Sequence, residues 1–400
     1  MGNYLNPGND MFYKMVHSEI YVDKTGLIGY CNHVINTMQR YICVSRPRRF
    51  GKSMAANMLS AYYSRECDSE KLFEGLEISK ESGFKKHLNQ YDTIFLNMQE
   101  FLSRTGDVDK LIDRIKKLVI RELKAEHPDV DYFDDTDLVE SMQDIYREKK
   151  IPFVVIIDEW DCIFREYKQD KEAQEKYLDF LRDLLKDKGY IHLAYMTGIL
   201  PIKKYGTHSA LNMFDEFSMI SPGPLASYVG FTETEVEALC RQYKADMSEV
   251  KSWYDGYSFE KEKSIYSPRS VVNCMRFEKI ENYWKKKYED CKSFISQGED
   301  GDLGECWDFI NKLTIELEKD INTSDIEKIA SIVEEREKHV QGAASKLGTN
   351  LRNIEDTEDY IDTFRWEYRP TESQNRYPGT ITMCVSYYIS ELFYNYIKWE

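Results

Sequence analysis

The sequence predicts an α/β fold: a mainly parallel sheet with helices on both faces, extended by a helical lid and a mainly α C-terminal region. Three observations predict it. Four short apolar runs, at 40–45, 93–98, 153–157 and 191–196, are separated by long charged or helical stretches, the alternation from which parallel sheets are built. Between the second and third runs, Leu111, Ile115, Leu118, Val119 and Leu123 recur at helical spacing, so a helix there buries one face. The first run passes through a loop punctuated by Pro and Gly. From Ser53 it continues into Met54, Ala55, Ala56, Met58 and Leu59, a strand, loop and helix in succession.

The 400 residues exceed the roughly 100–200 that one domain usually holds. Hydrophobic residues at 42% and aromatics at 14% supply apolar surface for sizeable cores and exclude wholesale disorder. Past Gly206 the pattern turns to helices with short turns, as at 232–243, where Val236, Leu239 and Cys240 share a face. From about residue 281 the composition shifts. Residues 281–400 hold 25 Asp or Glu against 15 Lys or Arg, so −10 of the net −16 lies there. The expected division is a core over 1–206, a helical lid or small subdomain over 207–280, and an acidic, mainly helical module over 281–400.

Lys plus Arg number 54 against 70 Asp plus Glu, so there is no global electrostatic footprint for nucleic acid, and any such contact would be a local patch. The nine Cys are odd in number and form no C-x-x-C pair, which suggests neither a zinc ribbon nor a disulfide framework and fits reduced thiols in cytoplasm. The His residues are scattered, which gives zinc little support. Residues 1–10 are polar, without the pattern of an export signal. Residues 380–399 are long enough to raise a membrane span, but Glu391, Asn395 and several Ser and Tyr favour a buried aromatic segment.

The chemistry concentrates in two places. Between the first strand and its helix stand Arg46, Pro47, Arg48, Arg49, Phe50, Gly51, Lys52, Ser53 and Met54. A P-loop wraps backbone N–H groups around phosphate, its Lys reaches the β and γ oxygens, its Ser hydroxyl binds Mg2+, and the helix N-terminus adds partial positive charge. Arg46 stands where that motif has its first Gly. The second place is Phe153–Ile157 followed by Asp158 and Glu159. Five apolar residues ending in two carboxylates have the form of a Walker B strand, with Asp158 supporting Mg2+ and Glu159 activating water. Thr197, ending the fourth run, is a candidate sensor of phosphate or water, or a cap on the strand end. Arg48, Arg49, Arg165 and Arg269 are candidates to neutralise the transferring phosphoryl group, each with a surface ion pair as the plainer alternative.

With these residues in view, a resemblance can be named. Residues 20–25 (IYVDKT), 45–53 (SRPRRFGKS), 157–161 (IDEWD), 196–203 (MTGILPIK), 253–257 (WYDGY) and 268–270 (PRS) resemble the predicted AAA-ATPase-like family of anaerobic gut bacteria, over about residues 1–280. The resemblance implies a P-loop ATPase domain that binds ATP with Mg2+, in which Arg46 in place of Gly is normal. Members commonly carry a C-terminal PD-(D/E)XK nuclease-like domain. This chain departs from that pattern, since past residue 280 no strand ends in Glu-x-Lys. Glu122-Leu123-Lys124 and Glu249-Val250-Lys251 match its letters on helical stretches and read as solvated faces. The Tyr and Trp cluster at 253–257 reads as packing.

The resulting expectation is a cytoplasmic ATPase whose Mg-ATP hydrolysis drives conformational change. A partner protein through 281–400 and a homo-oligomer stay open, and no membrane partner is expected. The alternatives are a non-hydrolysing nucleotide-dependent switch or adaptor, and a nucleic-acid-processing enzyme.

Overall fold

The computed structural model describes residues 2–167, 170–200, 202, 211–218, 221–257 and 264–279. They form two compact units, divided between Val229 and Gly230. The module expected over 281–400, the 380–399 segment, and several residues of the 196–203 and 253–257 motifs lie outside the described residues or side chains.

In the first unit, helices α1 (Asp10–Val16) and α2 (Gly26–Val34) precede strand β1 (Tyr41–Ser45), and helix α3 (Lys52–Tyr63) follows it. Two short helices, α4 (Glu70–Phe73) and α5 (Phe84–His87), lead to β2 (Asp92–Asn97). Then come α6 (Met98–Thr105), α7 (Val108–Glu126), α8 (Leu138–Lys149), β3 (Phe153–Asp158), α9 (Cys162–Glu166), α10 (Lys171–Leu185), β4 (Ile191–Gly198) and β5 (Asp215–Phe217). The sheet order is β2-β3-β4-β1-β5, with every neighbour parallel. The expected parallel α/β sheet is therefore present.

Each of β1, β3 and β4 is almost wholly buried, because helices cover both faces. Such strands read as continuous apolar runs rather than alternating ones. Side chains still alternate in direction. Phe153, Val155 and Ile157 join Leu111, Ile115, Met142 and Leu181 in one core, against α7, α8 and α10. Val154 and Ile156, also fully buried, face the other way, where α3 packs on β2, β3 and β4. Helix α7 buries Leu111, Ile115, Val119, Ile120 and Leu123, whereas Leu118, expected on that face, is only half-buried. Side-chain caps start these helices: Asp107 accepts from Lys110 N, Asp137 from Glu140 N and Asp170 from Ala173 N.

Helical Glu122 is not the solvated residue that its position suggests. Its carboxylate accepts from the backbone N–H groups of Asn3, Tyr4 and Leu5 at 3.1, 2.8 and 2.9 Å. The N-terminal segment is thereby tied to α7, and Leu5 bridges to Ile94 at the sheet edge. Across the sheet from the loop-bearing end, Asp92 opens β2 as a fully buried carboxylate. It accepts from Asn6 Nδ2 at 2.9 Å and from Arg65 Nε and Nη2 at 3.1 and 2.8 Å, and it faces His127 Nε2 at 2.7 Å.

The second unit carries β6 (Phe231–Thr232), α11 (Glu233–Tyr243), α12 (Met247–Tyr254), β7 (Asp255–Tyr257), β8 (Ile265–Tyr266) and α13 (Pro268–Phe277). Val236, Leu239 and Cys240 are buried on one face of α11, which Thr232 and Glu235 start as a reciprocal capping box. Strands β6, β8 and β7 form a small antiparallel sheet. These strands, and β5 in the first unit, were not expected past Gly206. They are two or three residues long, too short to show a period. Lys251 of α12, in the second Glu-x-Lys string, pairs with Glu233 of α11.

Among the described residues no helix is long and apolar enough to cross a membrane. The described cysteines Cys31, Cys43, Cys67, Cys162, Cys240 and Cys274 are free thiols.

Candidate functional site

The site is built where β1, β3 and β4 end together. Register fixes this: Ser45 lies beside Gly198, and Ile157 beside Met196, so the last residues of three neighbouring strands share one sheet edge. Ligands of open α/β sheets sit at that carboxyl edge. Strand β4 occupies the slot between β1 and β3, which brings Thr197 between the loop and the two carboxylates.

The loop leaves β1 at Arg46. Arg46 N donates to Gly198 O at 3.1 Å. Its guanidinium is wholly buried and donates through Nη1 to Ser45 O at 2.9 Å and Phe217 O at 2.7 Å. The residue replacing the motif's first Gly therefore ties the loop to edge strand β5, and burial pushes its pKa down to about 10. Pro47 and Phe50 are buried, whereas Arg48 and Arg49 are exposed.

Arg49 and Gly51 both have positive φ, 71° and 90°, so the chain turns sharply into α3. Gly51 suits that left-handed position because it has no Cβ. Ala55 N makes the first bond of the helix, to Gly51 O. By position the N–H groups of Lys52, Ser53 and Met54 lack intrahelical acceptors, and no side chain caps this end. Such an N-terminus suits an anion. Lys52 is buried and lies back across the loop, donating through Nζ to Arg46 O at 2.8 Å and Pro47 O at 2.9 Å. Ser53 and Met54 are exposed.

Asp158, the last residue of β3, is buried. Its Oδ1 accepts from Thr197 Oγ1 at 2.5 Å, and its Oδ2 lies 3.4 Å from Asn97 Nδ2 at the end of β2. Sequence reasoning selected Thr197 but missed Asn97, whose place beside Asp158 follows only from the β2–β3 register. Glu159 follows with φ 56°, a left-handed conformation costly for a side chain with a Cβ. The surrounding bonds impose it. Trp160 N donates to Thr197 O at 3.0 Å, and Cys162 N to Glu159 O at 3.1 Å.

Glu159 Oε2 accepts from Arg165 Nη2 of α9 at 2.5 Å. Burial raises the Glu159 pKa, opposed by the charges of Arg165 and Lys52 and reinforced by Asp161 and Asp158. The register of β1, β3 and β4 sets the loop and the β3 carboxylates at one sheet edge, and the Lys52 charge opposes the rise at Glu159 as a neighbouring cation does. Of the four arginines considered from sequence, Arg165 reaches Glu159, and Arg48 adds its charge near Arg165. Arg49 stays on the loop. Arg269 lies exposed on α13 in the second unit.

A family model described as Predicted AAA-ATPase matches residues 8–207, half of the chain. The chain belongs to this predicted AAA-ATPase family. With the strand order and loop above, the family makes this a nucleotide-binding P-loop ATPase fold. A curated relative, the "Uncharacterized protein in vnfD 5'region" of Azotobacter chroococcum mcd 1, is 26% identical over 271 residues. That match covers 66% of this chain, and the chain spans about half the length of the relative, 50%. A solved structure, the Aeropyrum pernix ORC2 protein (ADPNP-ADP complexes), is similar with TM-score 0.37 and 11% identity, over 90% of this chain and 86% of that one.

Proposed function

We propose that the chain binds ATP at residues 46–54 and hydrolyses it with Mg2+, using Glu159 to activate the attacking water. The observation that carries the reading is the convergence of the loop that opens α3 at Lys52 and the Asp158 and Glu159 carboxylates that close β3 on one sheet edge. In this reading Lys52 exchanges its two loop carbonyls for phosphate oxygens, and the N–H groups opening α3 receive further phosphate oxygens.

The donor chemistry fits Mg2+. The Ser53 hydroxyl is exposed, and the Asp158 carboxylate keeps acceptor capacity beyond its bonds to Thr197 and Asn97. Hard oxygen donors of this kind, one or two from protein and the rest from phosphate and water, are what Mg2+ takes. When bound, the ion would neutralise charge on the phosphate oxygens. Thr197 spends its only proton on Asp158, so it serves by orienting that carboxylate. Glu159 is the general base, and the αL backbone fixes where it points.

Hydrolysis drives a conformational change, and residues 281–400 engage a protein partner. Free thiols, five of the described ones buried (Cys31, Cys43, Cys162, Cys240 and Cys274), fit a reducing cytoplasm.

The test is phosphate release from Mg-ATP by the wild type beside Glu159→Gln and Lys52→Ala, with nucleotide binding recorded for all three. Turnover lost in Glu159→Gln while binding persists is the expected result. Binding without wild-type turnover favours a nucleotide-dependent switch or adaptor. Failure to bind overturns the P-loop role, and salt-dependent binding to DNA instead would favour nucleic-acid processing.

A further inference from the structure

The Arg165 side chain is held on three sides. Its Nη2 donates to Glu159 Oε2 at 2.5 Å and to Gln99 Oε1 of α6 at 3.3 Å, and its Nε lies 3.2 Å from Asp161 Oδ2. Asp161 is itself fully buried and fixed from β4, because Oδ2 accepts from Ile199 N at 3.1 Å and Leu200 N at 2.9 Å. The backbone after β4 thus fixes Asp161, Asp161 fixes Arg165, and Arg165 fixes Glu159. The same strand end reaches the other carboxylate directly, through Thr197 on Asp158.

Packing closes the frame. A Cβ on Gly198 would stand 2.6 Å from Trp160 Nε1 and 2.8 Å from Asp161 Oδ1, so the turn after β3 is pressed against the end of β4.

We propose that Arg165 is a positioning residue for the reaction, a planar guanidinium that aims the Glu159 carboxylate from within the same chain. This rests on the reading of Glu159 as general base. An arginine suits the task because its rigid fork presents several donors at fixed angles, which a lysine cannot do. In this arrangement Nη2 is spent on Glu159 and Gln99, and Nε faces Asp161 as an ion pair without making a hydrogen bond, so Arg165 acts on the reaction through Glu159. A general base held about 1 Å out of place costs on the order of 100-fold, so the expected effect lies in turnover and not in binding.

The experiment measures Mg-ATP turnover and nucleotide affinity separately for wild type, Arg165→Gln, Arg165→Lys and Gln99→Ala, on full-length protein whose melting is checked first. The expected result is a kcat about 10–100-fold lower in Arg165→Gln with Kd for Mg-ATP within twofold of wild type. Arg165→Lys, which restores one charged contact to Glu159, recovers part of that loss. Gln99→Ala, which removes a neutral brace, lowers kcat in the same sense by less, and carries the test should Arg165→Gln not fold. In single-turnover assays, Arg165→Gln added to Glu159→Gln slows the residual rate no further. Wild-type turnover with an unchanged rate in Arg165→Gln overturns the positioning role alone. So does an affinity loss as large as the rate loss, which would place Arg165 on the nucleotide. A wild type that binds without turnover overturns hydrolysis and this role together.

Discussion

Replacing Asp92 by Ala should destabilise the first unit without touching the nucleotide site. The carboxylate has four polar contacts: Asn6, two from Arg65, and His127. Arg65 is about one-third exposed and keeps Glu126 at 3.2 Å, so it recovers much of its solvation. Asn6 and His127 are buried and cannot. Removing one partner of a buried pair costs about 3–5 kcal/mol, and the recovery open to Arg65 sets the expectation near the lower figure, about 3 kcal/mol. For a unit of this size each kcal/mol moves Tm by about 2–4 °C, so the melting temperature should fall by roughly 6–12 °C.

Five steps of β2 separate Asp92 from Asn97, roughly 17 Å at about 3.3 Å per residue, so nucleotide affinity below the transition should be unchanged. The sign of the pH dependence is fixed too. Burial pushes the Asp92 carboxyl up, but hydrogen bonds from His127 and Asn6 and the Arg65 charge outweigh it and hold it below its ordinary value. Its contribution is present above the unfolded value of about 3.9 and is lost as pH falls through the lower folded value. The gap in Tm between wild type and Asp92→Ala, measured by calorimetry at several pH values, should therefore narrow in acid. A Tm change under about 2 °C at pH 7, less than one kcal/mol would produce, refutes the account, as does a gap that widens in acid.

Three further outcomes follow from particular contacts. Gly198→Ala forces a Cβ within 2.6 Å of buried Trp160; overpacking of this kind costs about 1–3 kcal/mol, and turnover should fall more than nucleotide affinity. Glu122→Ala removes the acceptor of three N-terminal N–H groups, a loss of about 1–3 kcal/mol that hydrogen exchange should report as faster exchange confined to residues 3–5. Gly51→Ala meets no atom within 4 Å but sits at φ 90°, so chemical denaturation should register only the conformational cost of about 1–2 kcal/mol.

The three inner strands β1, β3 and β4 were legible because parallel strands covered on both faces must be apolar almost throughout, and 153–157 shows this most plainly. Strand β5 was not. Asp215-Glu216-Phe217 pairs with β1 alone, and an edge strand tolerates charge that a central one excludes. The loop and the two carboxylates could be selected from residue type and order, since phosphate chemistry needs them. Their connections could not. The i, i+4 spacing of Asp161 and Arg165 suggests a helical ion pair, but the link from Arg165 to Glu159 depends on the left-handed turn at Glu159. The hold of Ile199 and Leu200 on Asp161 depends on β4 lying beside β3. Glu122 misled for a related reason: its partners are backbone groups more than a hundred residues away, which no local pattern records.

The strand order also bears on how the protein comes into being. Strand β1 is made first, yet both of its partners, β4 and β5, come after residue 190. During synthesis, which exposes the N-terminal part first, residues 41–45 have no ladder to join until the chain has grown past β4. When β4 arrives it must enter a slot about 10 Å wide, two inter-strand spacings, between β1 and β3. Only then do Arg46 N and Gly198 O meet, and only then is Asp158 gripped by Thr197. A nascent or truncated chain ending before residue 190 holds the Gly-Lys-Ser sequence but lacks β4, and with it the bond from Arg46 to Gly198 and the grip of Thr197 on Asp158.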